Sequence, residues 1–438
     1  MESPALLPVG AAETVISPPL GTELAGYFSP RVSDGVISDL MAKAIVVGEG
    51  ADRIALIACD LLAITEEISV PVRARVAAET GIPGDRVMIC ATHTHTGPEL
   101  RANRPIKRNE EYMAGLPDRI ADTAIAAAAK PRPACICLGR DHEEGLAFNR
   151  RFRYDDASEQ FGMRGDNVVG VAGPTDPDLG VIAFRESPQA MPFAVIVNYS
   201  IHIDVTGGNK ISADFPAVMT NVLRGVYGPD VIVLYVQGAC GNINHSPYGK
   251  KWPWPTKGVW KSEQIGRALG GKAITIIEKA LPSTSQVADA AQEILDVPRF
   301  PLDDLVADRV AQARAGESQG LSSAVDKRLL SMIDQHDPDG RDPREVQALR
   351  IGDAVICGAP GEYFVEWGLE IKKWSPFPYT FIAELANDWV GYIPTYEAFR
   401  RGGYEATPIV SVRATPALGQ MVADANFRLA RKLWTEEK

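Results

Sequence analysis

One stretch organises the chain: residues 86–99, with the sequence RVMICATHTHTGPE. Its first six residues are mostly apolar and predict a short buried strand, and the Gly97-Pro98 pair ends the extended segment. The strand leads into His93 and His95, two of only six histidines in the chain. Because side chains two apart on an extended backbone point the same way, both imidazoles can meet one metal ion or one bound carbonyl group. By itself, a His-x-His pair is equally consistent with an ordinary polar loop.

The composition is that of an ordinary globular protein. The chain has 438 residues, of which 45% are hydrophobic and 23% are charged, enough to bury a large core. Its formal net charge of −11 argues against nucleic acid or an anionic membrane as the main partner. No stretch approaches about 18 consecutive apolar residues, so the sequence predicts no transmembrane segment. The first residues lack the basic and apolar regions of a signal peptide, and we expect a cytoplasmic location.

The six cysteines agree with that expectation. Most of them lie in apolar, strand-like runs, which is typical of reduced, buried thiols. Cys135 and Cys137 share an alternating strand, but no second cysteine pair follows at the spacing of a zinc site. We therefore interpret both as core residues.

The order of elements predicts an α/β fold, with a mixed sheet core and flanking helices. We expect residues 1–438 to form a single domain, in which the more charged stretch from about 283 to 345 is a helical insertion or cap. The chain has no G-x-G-x-x-G, P-loop or G-x-S-x-G motif. Several apolar strands end in polar turns, where an α/β sheet collects its chemistry. These turns contain Asp60, His93 with His95, His202, Gly238 to Asn242, Glu362 and Asn387.

Three histidines and one acid are the first candidates for a functional site. His93, His95 and His202, with Glu362, offer the nitrogen and oxygen ligands of a catalytic zinc ion, which lowers the pKa of its bound water. Each also has a plainer interpretation. A lone histidine on an apolar strand, such as His202, is more often a core residue, and Glu362 suits the first turn of a helix. The sequence alone does not bring these residues together.

Several short motifs follow one another along nearly the whole chain. They are VGAA from Val9 and GY from Gly26, ATHTHTGP from Ala91, NR from Asn149, His202 with SAD from Ser212, PGE from Pro360, NDWVGYI from Asn387, TYE from Thr395 and YE from Tyr404. In this order they resemble the N-terminal catalytic domain of the neutral, non-lysosomal ceramidases. The resemblance implies the fold of that domain and a hydrolase acting on an amide bond.

The resemblance also implies a ligand set. In the family a catalytic zinc ion is held by four side chains, which correspond by motif to His93, His202, Glu362 and Tyr392. His95 and Arg150 correspond to residues that position the substrate and stabilise the oxyanion, and His95 is our candidate for the proton donor to the leaving amine. Without the resemblance, Tyr392 would be interpreted as a core aromatic residue. Such ligands also accept other divalent ions.

One departure from the family concerns the nucleophile. Ceramidases carry a serine in a strand-end turn, and glycine occupies that place here, at Gly241 in the run GACGNIN. Ser246 and Cys240 are the nearest alternatives. The simpler inference is attack by zinc-activated water, with Gly241 leaving room for water or substrate, and with Asn242 or Asn244 donating hydrogen bonds to the carbonyl group.

A second departure concerns the substrate. The immunoglobulin-like C-terminal domain of ceramidases and a secretion signal are both absent from this sequence, which weakens the case for a membrane lipid. Trp254, in the run WPWP, is a candidate aromatic wall for a substrate or simply part of a stiff exposed loop.

These inferences predict a zinc-dependent amidohydrolase acting on a small molecule. An ester or lactone hydrolase at the same site is the alternative, and a non-catalytic binding protein is the alternative outside enzymes. The size of the chain suits a homo-oligomer.

Overall fold

The computed structural model describes residues 6–102, 106–249, 252–316, 318 and 321–435. Within them the strands are β1 Leu7–Val15, β2 Gly35–Val36, β3 Met41–Val47, β4 Ile54–Cys59, β5 Val87–Ala91, β6 Arg132–His142, β7 Phe148–Asn149, β8 Arg151–Tyr154, β9 Glu159–Phe161, β10 Val168–Val171, β11 Asp178–Arg185, β12 Pro192–Tyr199, β13 Lys210–Ile211, β14 Ile232–Gln237, β15 Ile243–Asn244, β16 Leu281–Pro282, β17 Ala288–Pro298, β18 Arg341–Ile351, β19 Ala354–Ala359, β20 Glu362–Tyr363, β21 Tyr379–Glu384 and β22 Tyr392–Ile393. The α-helices are α1 Glu66–Thr80, α2 Glu110–Ala129, α3 Phe215–Tyr227, α4 Val259–Lys279, α5 Asp304–Ala315, α6 Leu321–Met332, α7 Val365–Trp374, α8 Tyr396–Arg401 and α9 Leu418–Thr435.

The larger sheet has the strand order β14-β12-β11-β6-β1-β3-β4-β5, with β16 paired to β6. Neighbouring strands are antiparallel, except for the parallel pairs β12/β14 and β4/β5. The sheet is curled, so that its edge strands β14 and β5 approach each other without pairing. The curl brings the loops that follow β5, β12 and β14 to one end of the molecule.

A second sheet, β17-β18-β19-β21, packs face to face against the first. Because side chains alternate along a strand, each sheet presents two faces that must be covered. Apolar residues from both sheets fill the space between them. The helices α1 and α2 cover the outer face around β3 to β5, α3 and α4 cover the part around β11 to β14, and α7 and α9 cover the second sheet. The predicted α/β class, a mixed sheet core with flanking helices, is confirmed.

The helical insertion predicted for about 283 to 345 is wrong at both ends. There β17 and β18 pair antiparallel along their whole length, and only α5 and α6 between them are α-helical. β17 is an edge strand whose Leu295 and Val297 are buried, while Gln292 and Asp296 on its other face are exposed. Charged residues on an edge strand prevent it from pairing with another chain. Because of these residues, the sequence pattern did not indicate a strand here. α5 and α6 pack against Phe364, which follows β20, and against the segment that follows β22.

Two further expectations concern cysteines and membrane helices. All six cysteines are buried and free, as predicted. Across the described ranges, no helix combines the length and the apolar character that crossing a bilayer requires.

Candidate active site

The candidate residues follow the ends of strands from both sheets. His93 and His95 follow β5, His202 follows β12, and Glu362 follows β19. The two sheets are joined at this end by a bridge between Cys90 and Ala386. Stacking the sheets with these ends together gathers side chains that are far apart in the chain.

Three imidazoles meet at the centre of the site. The Nε2 atom of His93 lies 3.1 Å from Nε2 of His202 and 3.2 Å from Nε2 of His95. His93 has a φ of 75°, an uncommon backbone conformation for a residue with a side chain. Its amide donates to the carbonyl group of Leu61 at 2.9 Å. This local twist turns the His93 ring toward His95 and His202.

The hydrogen bonds behind the rings make the cluster suitable for a cation. His93 Nδ1 lies 2.7 Å from the carbonyl oxygen of Leu62, and His202 Nδ1 lies 3.4 Å from that of Cys240. A carbonyl oxygen only accepts, so each Nδ1 carries the proton and the two Nε2 lone pairs face each other. Burial lowers the pKa of all three histidines, which favours neutral rings. Zinc–nitrogen bonds of about 2.0–2.1 Å separate the ligands of a tetrahedral ion by about 3.3 Å, close to the spacing observed here, so the residues fit a metal ion.

Glu362 and Tyr392 lie beside this cluster. β20 and β22 pair in parallel with Glu362 opposite Tyr392, which holds the two side chains next to each other. Glu362 Oε2 is 3.6 Å from His93 Nε2, and Trp389 Nε1 donates to Glu362 Oε1 at 3.2 Å. His93, His95, Glu362 and Tyr392 line one cavity of about 80 Å³.

Arg150 approaches the site through Tyr392. Its Nη2 donates to Tyr392 Oη at 3.0 Å and to the Gly241 carbonyl at 2.8 Å, and its Nε donates to Glu405 at 2.8 Å. Arg151 donates to the other oxygen of Glu405 at 2.9 Å. Burial alone would raise the pKa of Glu405, but Arg150 and Arg151 outweigh it and lower that pKa. The guanidinium of Arg150 is thus a buried, fixed cation.

His95 has an acidic neighbour that the sequence analysis missed. Its Nδ1 lies 3.8 Å from Asp204 Oδ1. Asp204 accepts hydrogen bonds from Tyr27 Oη and, at 3.0 Å, from Lys257 Nζ. The signal was present in the sequence, because Asp204 stands two residues after His202, as His95 stands two residues after His93.

Asn242, Asn244 and Trp254, which the sequence analysis assigned to substrate binding, lie outside the cavity of the histidine cluster. Asn242 Nδ2 donates to Glu366 at 2.8 Å and its Oδ1 accepts from the Val365 amide at 2.9 Å. Asn244 Oδ1 accepts from the amides of its own turn. Trp254 is 56% exposed and packs on Trp260. None of the three lines the cavity of the histidine cluster: the Asn242 side chain binds the start of α7, and that of Asn244 binds its own turn.

The packing around Gly241, Cys240 and Ser246 bears on which group acts as the nucleophile. A Cβ atom on Gly241 would lie 2.5 Å from the carbonyl oxygen of Glu362, so the glycine permits a close approach of two backbones rather than leaving room for water or substrate. Cys240 is fully buried, and its thiol donates a hydrogen bond to Glu384 Oε1 at 2.9 Å. Burial raises the pKa of that thiol well above its usual value, which makes a nucleophilic thiolate unfavourable. Ser246 does not line the cavity.

A curated protein and solved structures resemble this chain over most of its length. No family model matches the chain. The curated neutral ceramidase of Pseudomonas aeruginosa is 21% identical over an alignment of 484 positions that covers 94% of this chain and 70% of the relative. The crystal structure of a neutral ceramidase from P. aeruginosa matches with a TM-score of 0.75 and 18% identity, over 99% of this chain and 75% of that one.

This chain is ceramidase-like in sequence and in fold. A solved ceramidase complexed with C2 gives the same TM-score and identity, over 99% of this chain and 76% of that one. The resemblance implied by the short motifs is thereby confirmed, and the ceramidase-like fold brings together the His93, His95 and His202 group.

Proposed function

We propose that this chain is a zinc-dependent hydrolase that cleaves the C–N amide bond of a small molecule. The observation that carries the proposal is that the Nε2 atoms of His202 and His95 lie 3.1 and 3.2 Å from Nε2 of His93, beside Glu362. The likeness to a protein named a neutral ceramidase supports the bond type, because ceramide is an amide.

We assign the zinc ligands to His93, His202, Glu362 and Tyr392. When bound, zinc supplies a Lewis acid and lowers the pKa of water. Burial is the largest effect on the pKa of Tyr392 and raises it. Arg150 donates a hydrogen bond to the Tyr392 oxygen and lowers this pKa, which favours the anionic form of the phenol. Arg150, predicted to stabilise an oxyanion, therefore acts through Tyr392 as a positioning residue.

We assign proton transfer to His95. Its Nε2 faces the other two imidazoles, and Asp204 faces its Nδ1, where a carboxylate stabilises the protonated ring. In the reaction, His95 takes a proton from water as the water oxygen bonds to the acyl carbon, and it gives that proton to the leaving nitrogen as the C–N bond breaks. We assign the role of nucleophile to water, because Gly241 has no hydroxyl group and the Cys240 thiol stays protonated in its hydrogen bond to Glu384.

The test is elemental analysis of purified protein, for the wild type and for His93→Ala and Glu362→Ala. We expect about one zinc ion per chain in the wild type and a loss in both variants, while His142→Ala, at an exposed histidine, keeps its zinc. A wild type that neither contains nor takes up zinc would contradict the proposal.

A panel of amides, esters and lactones then separates the remaining functions. Faster hydrolysis of amides by the zinc-loaded protein supports an amidohydrolase. Hydrolysis of esters or lactones alone would favour the alternative acyl hydrolase, and no hydrolysis of any class would favour a binding protein.

A further inference from the structure

The histidine cavity adjoins a larger one. The small cavity of about 80 Å³ shares Arg101, Arg328 and Trp389 with a second cavity of about 590 Å³. Arg413 lines the second cavity near the shared wall, with its guanidinium 5.6 Å from the centre of the Trp389 ring. A ligand bound at the histidines therefore extends toward several arginines.

Two of these arginines have no anionic partner in the part of the chain that the structure describes. Among the described residues, neither Arg328 nor Arg413 forms a side-chain ion pair or hydrogen bond, and each has a buried Nε atom without an acceptor. A buried donor without a partner costs free energy, and an arginine without a carboxylate in such a place is uncommon. Arg101 differs from them, because it is paired with Glu99 at 2.6 Å.

The acids that line the second cavity are already engaged. Asp388 lies 2.9 Å from Arg344, and Asp342 lies 3.2 Å from Arg344 and 3.3 Å from Arg299. Glu66 lies 3.7 Å from Arg344, and Glu67 pairs with Arg108. Positive charge near the shared wall is consequently left uncompensated.

The neighbouring cations affect Arg413 itself. Burial and the charges of Arg328 and Arg101 lower the pKa of Arg413 to about 10. Like charges held this close repel one another, and an anion placed between them relieves the repulsion. Guanidinium groups also match the planar, two-oxygen geometry of a carboxylate.

We propose that the substrate is an amide that carries a carboxylate, which Arg328 and Arg413 bind while the amide group lies at the histidine cluster. This inference rests on the proposed function and narrows its substrate class. It departs from the neutral lipid amide that the relative's name denotes. Hydrolysis adds water across the C–N bond and yields a carboxylate and an amine, one of which bears the recognised carboxylate as well.

The first test uses pairs of amides that differ only in charge, namely N-acylglycines and their methyl esters, and glutaryl anilide and its methyl ester. Release of the amine is followed, because hydrolysis of the ester group does not release it. We expect the wild type to have the higher kcat/KM for the anionic member of at least one pair.

The variants Arg328→Gln and Arg413→Gln should each lower the ratio of anionic to neutral kcat/KM by about tenfold to a hundredfold, the loss expected for a charge-assisted contact. Arg400→Gln is the matched control, since Arg400 lines a different cavity, and it should keep the wild-type ratio. Equal rates for both members of every pair, unchanged in the variants, would overturn the inference while leaving the amide hydrolase in place.

A binding measurement distinguishes this failure from failure of the proposed function. Calorimetric titration with N-acetylglycine and with N-acetylglycinamide needs no turnover. We expect the wild type to bind the carboxylate more tightly than the amide, and Arg328→Gln to lose that difference. If no amide is hydrolysed but this selectivity is present, the carboxylate site is supported and the hydrolase is not. If the wild type shows no selectivity, the proposal of a carboxylate site is wrong.

Discussion

The Nε2 atoms of His93 and His202 lie 3.1 Å apart, although 109 residues separate the two histidines in the chain. Backbone carbonyl groups behind both rings, from Leu62 and Cys240, hold the protons on the opposite nitrogens. Two lone pairs aimed at each other from buried rings are stabilised only by a cation or a shared proton. This relationship supports the proposed metal centre over a pair of core histidines.

Metal removal should lower the thermal stability of the wild type. A ligand that binds only the folded state at 1,000 times its Kd adds about 4 kcal/mol to the free energy of unfolding. We expect a chelator to lower the Tm of the wild type and of the exposed-site control His142→Ala. The Tm of His202→Ala should be insensitive to chelator. A chelator-dependent Tm in His202→Ala would show that this histidine is not a ligand.

Restoring a serine at position 241 should damage the site. In Gly241→Ser the new Cβ would meet the backbone oxygen of Glu362 at 2.5 Å, and backbone atoms cannot rotate away. We expect a loss of about 1–3 kcal/mol in the free energy of unfolding and weaker zinc binding, because Glu362 must move. Gly225→Ser, in α3 with open space around its Cβ position, is the control for urea unfolding and zinc titration. Equal behaviour of the two variants would refute the packing argument.

Glu405 should be important for stability because it neutralises two buried arginines. Glu405→Gln leaves Arg150 and Arg151 without their shared counter-ion, and removing one partner of a buried pair typically costs about 3–5 kcal/mol. Glu397→Gln breaks an exposed pair with Arg401 and should cost less than about 1 kcal/mol. Urea unfolding of both variants measures the difference, and a loss at Glu405 no larger than that at Glu397 would show that the arginines find other partners.

Glu384 should make stability fall as the pH rises. Burial raises the pKa of its carboxyl group from 4.5 to about 8. Between these values the folded chain keeps a proton that the unfolded chain has released, so the free energy of unfolding decreases with pH, by at most about 1.4 kcal/mol per pH unit.

The isosteric variant Glu384→Gln should remove this dependence. Its amide oxygen can still accept from the Cys240 and Tyr363 amides, which lie 2.9 and 3.1 Å from one carboxyl oxygen. Urea unfolding from pH 5 to pH 8 should give a flatter profile than the wild type, whereas Glu263→Gln, at a solvent-exposed position, should retain the slope. If the free energy of unfolding varied with pH equally in the wild type and in Glu384→Gln, the pH dependence would not come from Glu384.

The sequence by itself determined the α/β class and the principal candidates His93, His202, Glu362 and Tyr392. Local patterns sufficed for the fold class and for His93, His202 and Glu362, because apolar strands and the polar turns that follow them consist of neighbouring residues, whereas Tyr392 was selected only through the resemblance to ceramidases. The same local logic failed at β17, whose charged edge looked helical, and at Asn242, whose amide faces a helix start rather than a cavity.

Only the tertiary structure showed which residues of distant segments contact one another. The opposed lone pairs of His93 and His202, the role of Arg150 through Tyr392, and the backbone contact that requires Gly241 all join segments more than 90 residues apart. Within the described residues, the lack of an ion pair at Arg328 and Arg413 is likewise a property of packing, since each described acid that lines their cavity is engaged by another arginine. Charge and ligand type are properties of single residues, whereas pairing, burial and orientation belong to the folded chain.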